Sequence, residues 1–305
     1  MANDSLLFTF DRFSGMNNVE ASFRVPATTD KSWHKLYDMD TLENLDIDNS
    51  YVLSTRPGSD LELAGTDIHS LWAGGDTCLF VDSPSLYKLN PQYTATFIAT
   101  VGIDRMSYAP WNDKIYMTNG TYIGYLHNDV LAALTDPVIT YKLPLPAGKF
   151  IAYFRGRLYV AKGKVLYISD ALCDHYDIRT GFRVFANDIT MLVAVEKGLY
   201  VADGNTWFLA EKRAFSDDPG ELQKIKVLES DAIPYTATLV SGELIGDGVQ
   251  FDCALWTSTD GICLGDSDGT VKNLTRSRYS MSSYGIGGAV VRNLNETVHY
   301  ITVLE

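Results

Sequence analysis

Positive charge is scarce in this chain. It carries 25 Lys and Arg against 38 Asp and Glu, which gives a formal net charge of −13 over 305 residues. A protein that wraps nucleic acid needs the opposite sign, because it binds by neutralising phosphates. The composition therefore excludes a DNA clamp and is compatible with acidic walls past which DNA moves.

Cysteine and long apolar runs are scarce as well. The four cysteines form no CxxC pair, so we expect reduced thiols and no zinc site (Cys78, Cys173, Cys253 and Cys263). No run reaches the roughly 18 apolar residues of a membrane-spanning helix, so no membrane insertion is expected. Residues 1–5 show no basic region and no apolar core of a signal peptide, which predicts synthesis in a cytoplasm.

Motifs of known catalytic chemistry are missing too. The five histidines show no metal-ligand spacing (His34, His69, His127, His175 and His299), and neither HExxH nor GxSxG occurs. The sequence predicts no catalytic residue, no cofactor-binding residue and no metal site, hence no enzyme.

Three groups nevertheless allow a chemical interpretation. A propeller glycosidase would need paired carboxylates, and several aspartates precede or follow predicted turns (Asp76, Asp113, Asp203, Asp260 and Asp268). The segment 266–269 has the spacing of a calcium loop, but Ser277 stands where the closing glutamate belongs. Cys173 and His175 could pair a thiol with a base. We interpret all three as structural, since aspartate and glycine favour turns by themselves.

What the sequence does contain is a repeated phrase. A short apolar stretch centred on an aromatic is followed by a polar or glycine-bearing turn and a second apolar stretch. The clearest copies are residues 78–81, 114–117, 157–160 and 198–201, and their central residues, Phe80, Tyr116, Tyr159 and Tyr200, are 36, 43 and 41 positions apart. Weaker copies are residues 261–264 and 298–301. Strand-like repeats of about 40 residues are typical of a β-propeller, with one four-stranded sheet per repeat.

The repeat predicts an all-β chain with one propeller domain over residues 36–305. We expect six blades, with five or seven as alternatives. Seven blades would result if an extra hairpin predicted in the fifth repeat, residues 235–240 with 243–245, formed a blade of its own.

A hairpin is predicted within residues 36–57, from residues 45–47 and 51–53. Residues 36–57 and 285–305 would together form the last blade, so that the two ends of the chain close the ring. Residues 1–35 stand outside the repeat and are interpreted as an N-terminal arm. Weak helix patterns occur at residues 31–40 and 129–134.

Several short sequence motifs resemble those of a group of virion structural proteins of tailed bacteriophages, of the nozzle, tail-hub or connector-associated type. These motifs are Gly15-Met16-Asn17-Asn18-Val19, Asn44-Leu45-Asp46-Ile47-Asp48-Asn49, Arg56-Pro57-Gly58, His69-Ser70-Leu71-Trp72, Cys78-Leu79-Phe80-Val81 and Arg155-Gly156-Arg157-Leu158-Tyr159-Val160-Ala161. The pattern covers most of the chain, although the chain is shorter than those nozzles and lacks their platform domains.

The resemblance implies a non-enzymatic structural component of a phage tail or head–tail connector, located in the virion. Its expected partners are further copies in a ring and other virion proteins, such as tail tube, adaptor or portal-side proteins and fibres. Genome DNA would pass through without sequence-specific binding. The alternative, suggested by turn carboxylates and plentiful tyrosine and tryptophan, is a carbohydrate-binding or glycoside-cleaving propeller that recognises the host surface. A host-cell interaction scaffold is a third hypothesis.

Overall fold

The computed structural model describes residues 61–211, 222–246, 249–275, 285–294 and 297–305. Before residue 61 it describes only short strands: β1 (Phe13–Met16), β2 (Thr28–Thr29), β3 (Lys35–Met39), β4 (Leu45–Ile47) and β5 (Leu53–Thr55). Strand β3 pairs with β1 and β2, while β4 and β5 form a hairpin. The hairpin predicted in this region is confirmed, and most of the predicted arm 1–35 lies outside the described residues.

Five four-stranded antiparallel sheets follow, and four of them are built from consecutive strands, whereas a strand of another sheet interrupts the third. Blade 1 contains β6 (Ile68–Gly74), β7 (Thr77–Asp82), β8 (Ser85–Leu89) and β9 (Ala95–Thr100). Blade 2 contains β10 (Ser107–Trp111), β11 (Lys114–Thr118), β12 (Ile123–His127) and β13 (Val130–Ala133). Blade 3 contains β15 (Phe150–Phe154), β16 (Arg157–Lys162), β17 (Val165–Ile168) and β19 (Phe182–Val184). Between them, β14 (Lys142–Pro144) pairs with β18 (His175–Asp177) as a separate ribbon.

The last two sheets keep this order. Blade 4 contains β20 (Met191–Val195), β21 (Gly198–Ala202), β22 (Thr206–Glu211) and β23 (Leu222–Leu228). Blade 5 contains β24 (Thr238–Val240), β25 (Cys253–Ser258), β26 (Gly261–Gly265) and β27 (Val271–Asn273), with the one-turn helix α1 (Gly242–Ile245) between β24 and β25. A C-terminal hairpin, β28 (Gly287–Leu294) and β29 (Thr297–Leu304), completes the chain.

The repeated sequence phrase is the second strand of blades 1 to 4. These strands read as continuous apolar runs because both of their faces are covered by neighbouring blades. In β21 all five residues are buried, and in β16 four of six are. The hydrophobic core is accordingly divided into clusters between successive sheets, as when Trp111 of blade 2 stacks on Tyr153 of blade 3 at a centroid distance of 5.5 Å.

The prediction of six blades is wrong, and the ring contains five. The predicted closing blade is not formed by the described strands: β4 and β5 pair with each other, and so do β28 and β29. The C-terminal hairpin instead packs its inner face against blade 5 through Val291, Val298 and Tyr300. The all-β class and the propeller arrangement are confirmed.

Both predicted helices are wrong. The segment 129–134 contains β13, which pairs with β12, and the segment 31–40 contains β3. The extra hairpin predicted in the fifth repeat is also absent from the described residues, because β24 is the inner strand of blade 5 and Glu243 lies in α1.

Candidate functional site

Two of the five aspartates considered as glycosidase carboxylates accept hydrogen bonds that stabilise the local backbone or a core side chain. Asp203 is 1% exposed and accepts hydrogen bonds from the backbone N–H of Ala186 and the indole N–H of Trp207. Asp268 accepts the N–H of Thr270 at 3.0 Å within the turn 266–270, and this bond helps to hold the pKa of Asp268 below its usual range. The structural interpretation of these two residues is supported by their geometry.

The histidines lie apart from one another. Ser70 and Ser83 flank the ring of His69, and His299 lies 2.8 Å from a guanidinium nitrogen of Arg292. His34 lies outside the described residues. Within the described ranges, no group of three or more His, Cys, Asp or Glu side chains could hold a metal ion.

Cys173 and His175 do not form a reactive pair. His175 Nε2 lies 3.4 Å from a carboxylate oxygen of Asp170 and not against the thiol. Burial, with the charges of Asp170 and Asp174, raises the pKa of Cys173, which disfavours the nucleophilic thiolate. The four cysteines are free thiols, and burial raises the pKa of each (Cys78, Cys173, Cys253 and Cys263).

The tryptophans considered as sugar platforms pack between blades. Trp72 stacks on Tyr108 at 5.7 Å, and Trp256, which is 0% exposed, contacts Tyr200 at 5.4 Å. Their rings pack against aromatic side chains of the hydrophobic core. Sequence reasoning thus assigned these residues correctly, but it missed four features that the fold assembles.

The first feature is a group of side chains at the upper end of the channel, where the inner strands β10, β15 and β24 begin. We name Arg105, Lys149 and Tyr235 the axial cluster. The guanidinium carbon of Arg105 lies 6.0 Å, and Lys149 Nζ 5.5 Å, from the centre of the Tyr235 ring. The Tyr235 ring also packs on Phe150 of blade 3 at 5.1 Å. Blade 5 therefore contacts blades 2 and 3 across the channel.

The second feature is a cleft at the opposite, lower end, where the inner strands finish. It has a volume of about 440 Å³ and lies between blades 3, 4 and 5. Its lining residues are Tyr153, Phe154, Arg155, Ala194, Val195, Glu196, Leu239, Gln250, Phe251 and Asp252. The long connection between β24 and β25 supplies one wall, and it leaves the side chains of Leu239 and Phe251 exposed. A volume of this order suits a small ligand.

The third feature is an exposed apolar surface on the β14–β18 ribbon and the residues that flank its strands. We name it the apolar ribbon, and its members are Val138, Ile139, Tyr141, Leu143 and Ile178. Two of them are joined directly, since the N–H of Ile178 donates to the carbonyl of Tyr141 at 3.0 Å. Contiguous exposed apolar residues mark interaction sites more often than scattered ones do.

Ion pairs fix the ribbon in place. Asp177, which is 7% exposed, accepts from Arg179 at 2.7 Å and lies 3.2 Å from Lys142, and Lys142 also pairs with Asp170 at 2.6 Å. These contacts, led by the Arg179 hydrogen bond, hold the pKa of Asp177 well below its usual range. The Arg179 guanidinium lies 4.3 Å over the ring of Tyr141. The apolar ribbon is therefore a preformed surface.

A second exposed apolar surface lies on the outer face of the C-terminal hairpin. Val290 is paired with Ile301, and Val303 follows on the same side because side chains alternate along a strand. We name these three residues the hairpin face.

No helix within the described ranges is long and apolar enough to cross a membrane.

Comparison with known proteins identifies no family. No family model and no curated protein matches the chain. Among solved structures, a gluconolactonase from Xanthomonas campestris is 12% identical with a TM-score of 0.45, covering 79% of this chain and 87% of the other.

Two further solved structures are similar at the same level. A virginiamycin B lyase from Staphylococcus aureus is 13% identical with a TM-score of 0.47 and 94% coverage of both chains. An extracellular domain of a hybrid two-component system from B. thetaiotaomicron is 13% identical with a TM-score of 0.46; the match covers 80% of this chain and spans 34% of that one. None of these three is described as a virion protein. Similarity at these identities concerns the fold alone.

Proposed function

We propose that this protein is a non-enzymatic structural component of a bacteriophage tail or head–tail connector, and that it assembles with further copies of itself and with other virion proteins. The observation that carries the proposal is the preformed apolar ribbon, whose side chains are exposed although an ion-pair network holds their backbone in place. The sequence resemblance to phage virion proteins supports the same role.

The two apolar surfaces suggest how copies would join. The apolar ribbon lies between blades 2 and 3, whereas the hairpin face lies beyond blade 5. Contact between two different surfaces is heterologous, and it produces a ring when the rotation closes. We therefore assign the hairpin face of one copy as the partner of the apolar ribbon of the next. Genome DNA would then pass through the ring of copies, because Tyr235 reaches across each propeller's own channel.

Complementary surface variants test this arrangement. We expect Val138→Asp and Val303→Asp each to block assembly in analytical ultracentrifugation, since either charge would be buried in the contact. A mixture of the two variants retains one intact surface of each kind and should form a heterodimer. Val130→Asp, at an exposed site of β13 away from both surfaces, is the matched control and should assemble like the unmodified chain.

The outcome that contradicts the arrangement is assembly unaffected by either variant, or no heterodimer in the mixture. The virion role has a separate measurement, which is mass spectrometry of gradient-purified phage particles. A chain that is monomeric at all concentrations and missing from the particles would overturn the proposed function.

The lower cleft supports a second candidate function, which is carbohydrate binding at the host surface. The exposed ring of Phe251 offers an apolar platform, and Gln250 and Asp252 place hydrogen-bonding groups beside it. Retention on a glycan array, with hydrolysis assayed alongside, tests this function. We expect Phe251→Ala to reduce retention and Phe97→Ala, an exposed ring on blade 1, to leave it unchanged. Lack of both retention and turnover would remove this candidate.

A further inference from the structure

The axial cluster concentrates positive charge in an acidic protein. Arg105 and Lys149 reach the ring of Tyr235 from loops of different blades, at 6.0 and 5.5 Å from its centre. The formal charge of the whole chain is −13. Two cations on one ring, at the end of a channel, are therefore a local exception that needs a physical reason.

The two cations differ in how they are compensated. Arg105 Nη2 donates to Glu305 at 3.0 Å, and its Nη1 donates to the carbonyl oxygen of Gly287 at 3.3 Å. Lys149 Nζ contacts the faces of Phe150 and Tyr235, and it has no carboxylate of a described residue within ion-pair distance. Its burial lowers the pKa of Lys149, with the more distant charge of Asp188 acting in the opposite direction. Among the described residues, Lys149 is thus a partly buried cation without a close carboxylate.

The backbone at Tyr235 adds an independent observation. Tyr235 has a φ of +66°, in the left-handed region that bulky side chains rarely adopt. Such conformations are energetically unfavourable and are concentrated at functional sites. The strained backbone is what directs this ring across the channel, against Phe150 and toward the carbonyl oxygen of Arg105 at 3.5 Å.

We propose that the axial cluster binds a small oxyanion, a phosphate or a carboxylate, between Lys149 and Arg105. A half-buried cation gains more from an anion than an exposed cation does, because the surrounding dielectric constant is lower. The anion completes the compensation that Glu305 begins at Arg105. The ring of Tyr235 lies beside both cations and would contact the bound anion.

Binding is measured on the full chain with ¹³C-methylated lysines, whose NMR signals report each amine separately. The Lys149 signal is assigned with Lys149→Arg. Inorganic phosphate and acetate are titrated in separate arms, and sodium chloride at matched ionic strength controls for screening. We expect at least one oxyanion to shift the Lys149 signal saturably and to raise its apparent pKa, since a bound anion stabilises the charged amine. The responding arm identifies the oxyanion.

Variants separate a site from a general charge effect. We expect Lys149→Gln and Arg105→Gln each to weaken binding at least about tenfold, as loss of one charge-assisted contact predicts. Lys149→Arg keeps the charge and should retain most of the affinity if Lys149→Gln fails to fold. Lys164→Gln, whose amine lies on an exposed hairpin of blade 3, is the matched control and should bind normally. An identical response to chloride, or no response to either oxyanion, overturns the proposal.

Discussion

The hydroxyl of Tyr200 in blade 4 donates a hydrogen bond to the backbone carbonyl of Asp266 in blade 5, at 2.6 Å. Tyr200 is fully buried, and its ring also packs on Trp256 of blade 5. One side chain therefore joins the two sheets by a polar and an apolar contact at once. Interfaces of this kind carry the stability of the ring, since each blade shares its core with its neighbours.

Removing the Tyr200 hydroxyl should weaken this interface. We expect Tyr200→Phe to lower the free energy of unfolding by about 1–2 kcal/mol, because a buried carbonyl loses a donor while the ring stays in place. Urea unfolding measures the change. Tyr93→Phe, which alters an exposed ring, is the control and should differ little from the unmodified protein. Equal stability of Tyr200→Phe and the control would contradict the role assigned to the hydroxyl.

The core between blades 3 and 4 should be sensitive to lost volume. Leu209 is 0% exposed and belongs to the cluster that joins these two blades. Leu209→Ala is expected to cost about 2–5 kcal/mol of unfolding free energy, through lost burial and a residual cavity. Leu61→Ala, at an exposed position, should stay within about 0.5 kcal/mol in the same urea titration. A small effect at Leu209 would mean that the two blades do not share a core there.

The ion pairs beneath the apolar ribbon predict a pH dependence. The pKa of Asp177 is depressed by Arg179 and Lys142, so its carboxylate stabilises the fold fully above the pKa of an unfolded aspartate, about 3.9. That contribution is lost as the pH falls from there through the depressed value. Asp177→Asn should therefore reduce the melting temperature at neutral pH, and the difference from the unmodified protein should shrink below about pH 4.

Thermal unfolding at several pH values measures the Asp177 effect. Asp136→Asn, at an exposed carboxylate close to the ribbon in sequence, is the control and should change the melting temperature little at neutral pH. A difference that is constant with pH at Asp177→Asn would show that its ionisation is not linked to folding.

Alanine substitutions at two glycines with positive φ distinguish the cost of a left-handed backbone from the cost of a steric clash. Gly75 has a φ of +58° and open space where a Cβ would lie, whereas at Gly269, with φ +96°, a Cβ would lie 2.5 Å from the ring of the buried Phe208. Gly75→Ala should cost about 1 kcal/mol from the left-handed backbone alone. Gly269→Ala should cost about 1–3 kcal/mol more through overpacking. Equal losses in urea unfolding would show that Phe208 moves aside.

The repeat predicted the sheets well because the second strand of a blade has an unusual environment. Because neighbouring blades cover both of its faces, the second strand is a continuous apolar run, as in β16 and β21. Such runs recur in the sequence at the spacing of the blades. The same signal misled in the last repeat. The phrase at 261–264 belongs to β26, the third strand of blade 5, whereas the second strand is β25. Apolar stretches flank every hairpin of a blade, so the phrase does not specify which strand it is.

Two other features could not be predicted from the local sequence. Residues 130–133 favour a helix by composition, yet they pair with β12 as the outer strand of blade 2, because tertiary context outweighs propensity. The axial cluster is assembled from positions 105, 149 and 235, each in a different interblade loop. No spacing in the sequence links them. A basic or aromatic residue just before an inner strand was the only available signal.

The contacts of Tyr235 with blades 2 and 3 change how the ring responds to load. Sheets that touch only their immediate neighbours would peel away one after another from a free end. Tyr235, which precedes the first strand of blade 5, contacts Phe150 of blade 3 and the loop before blade 2. These contacts couple blades that are not neighbours, so a force applied to one blade is distributed over the ring. Under mechanical load, unfolding of this molecule should begin at the Tyr235 contacts in the centre of the ring and not at the outer strands of the blades.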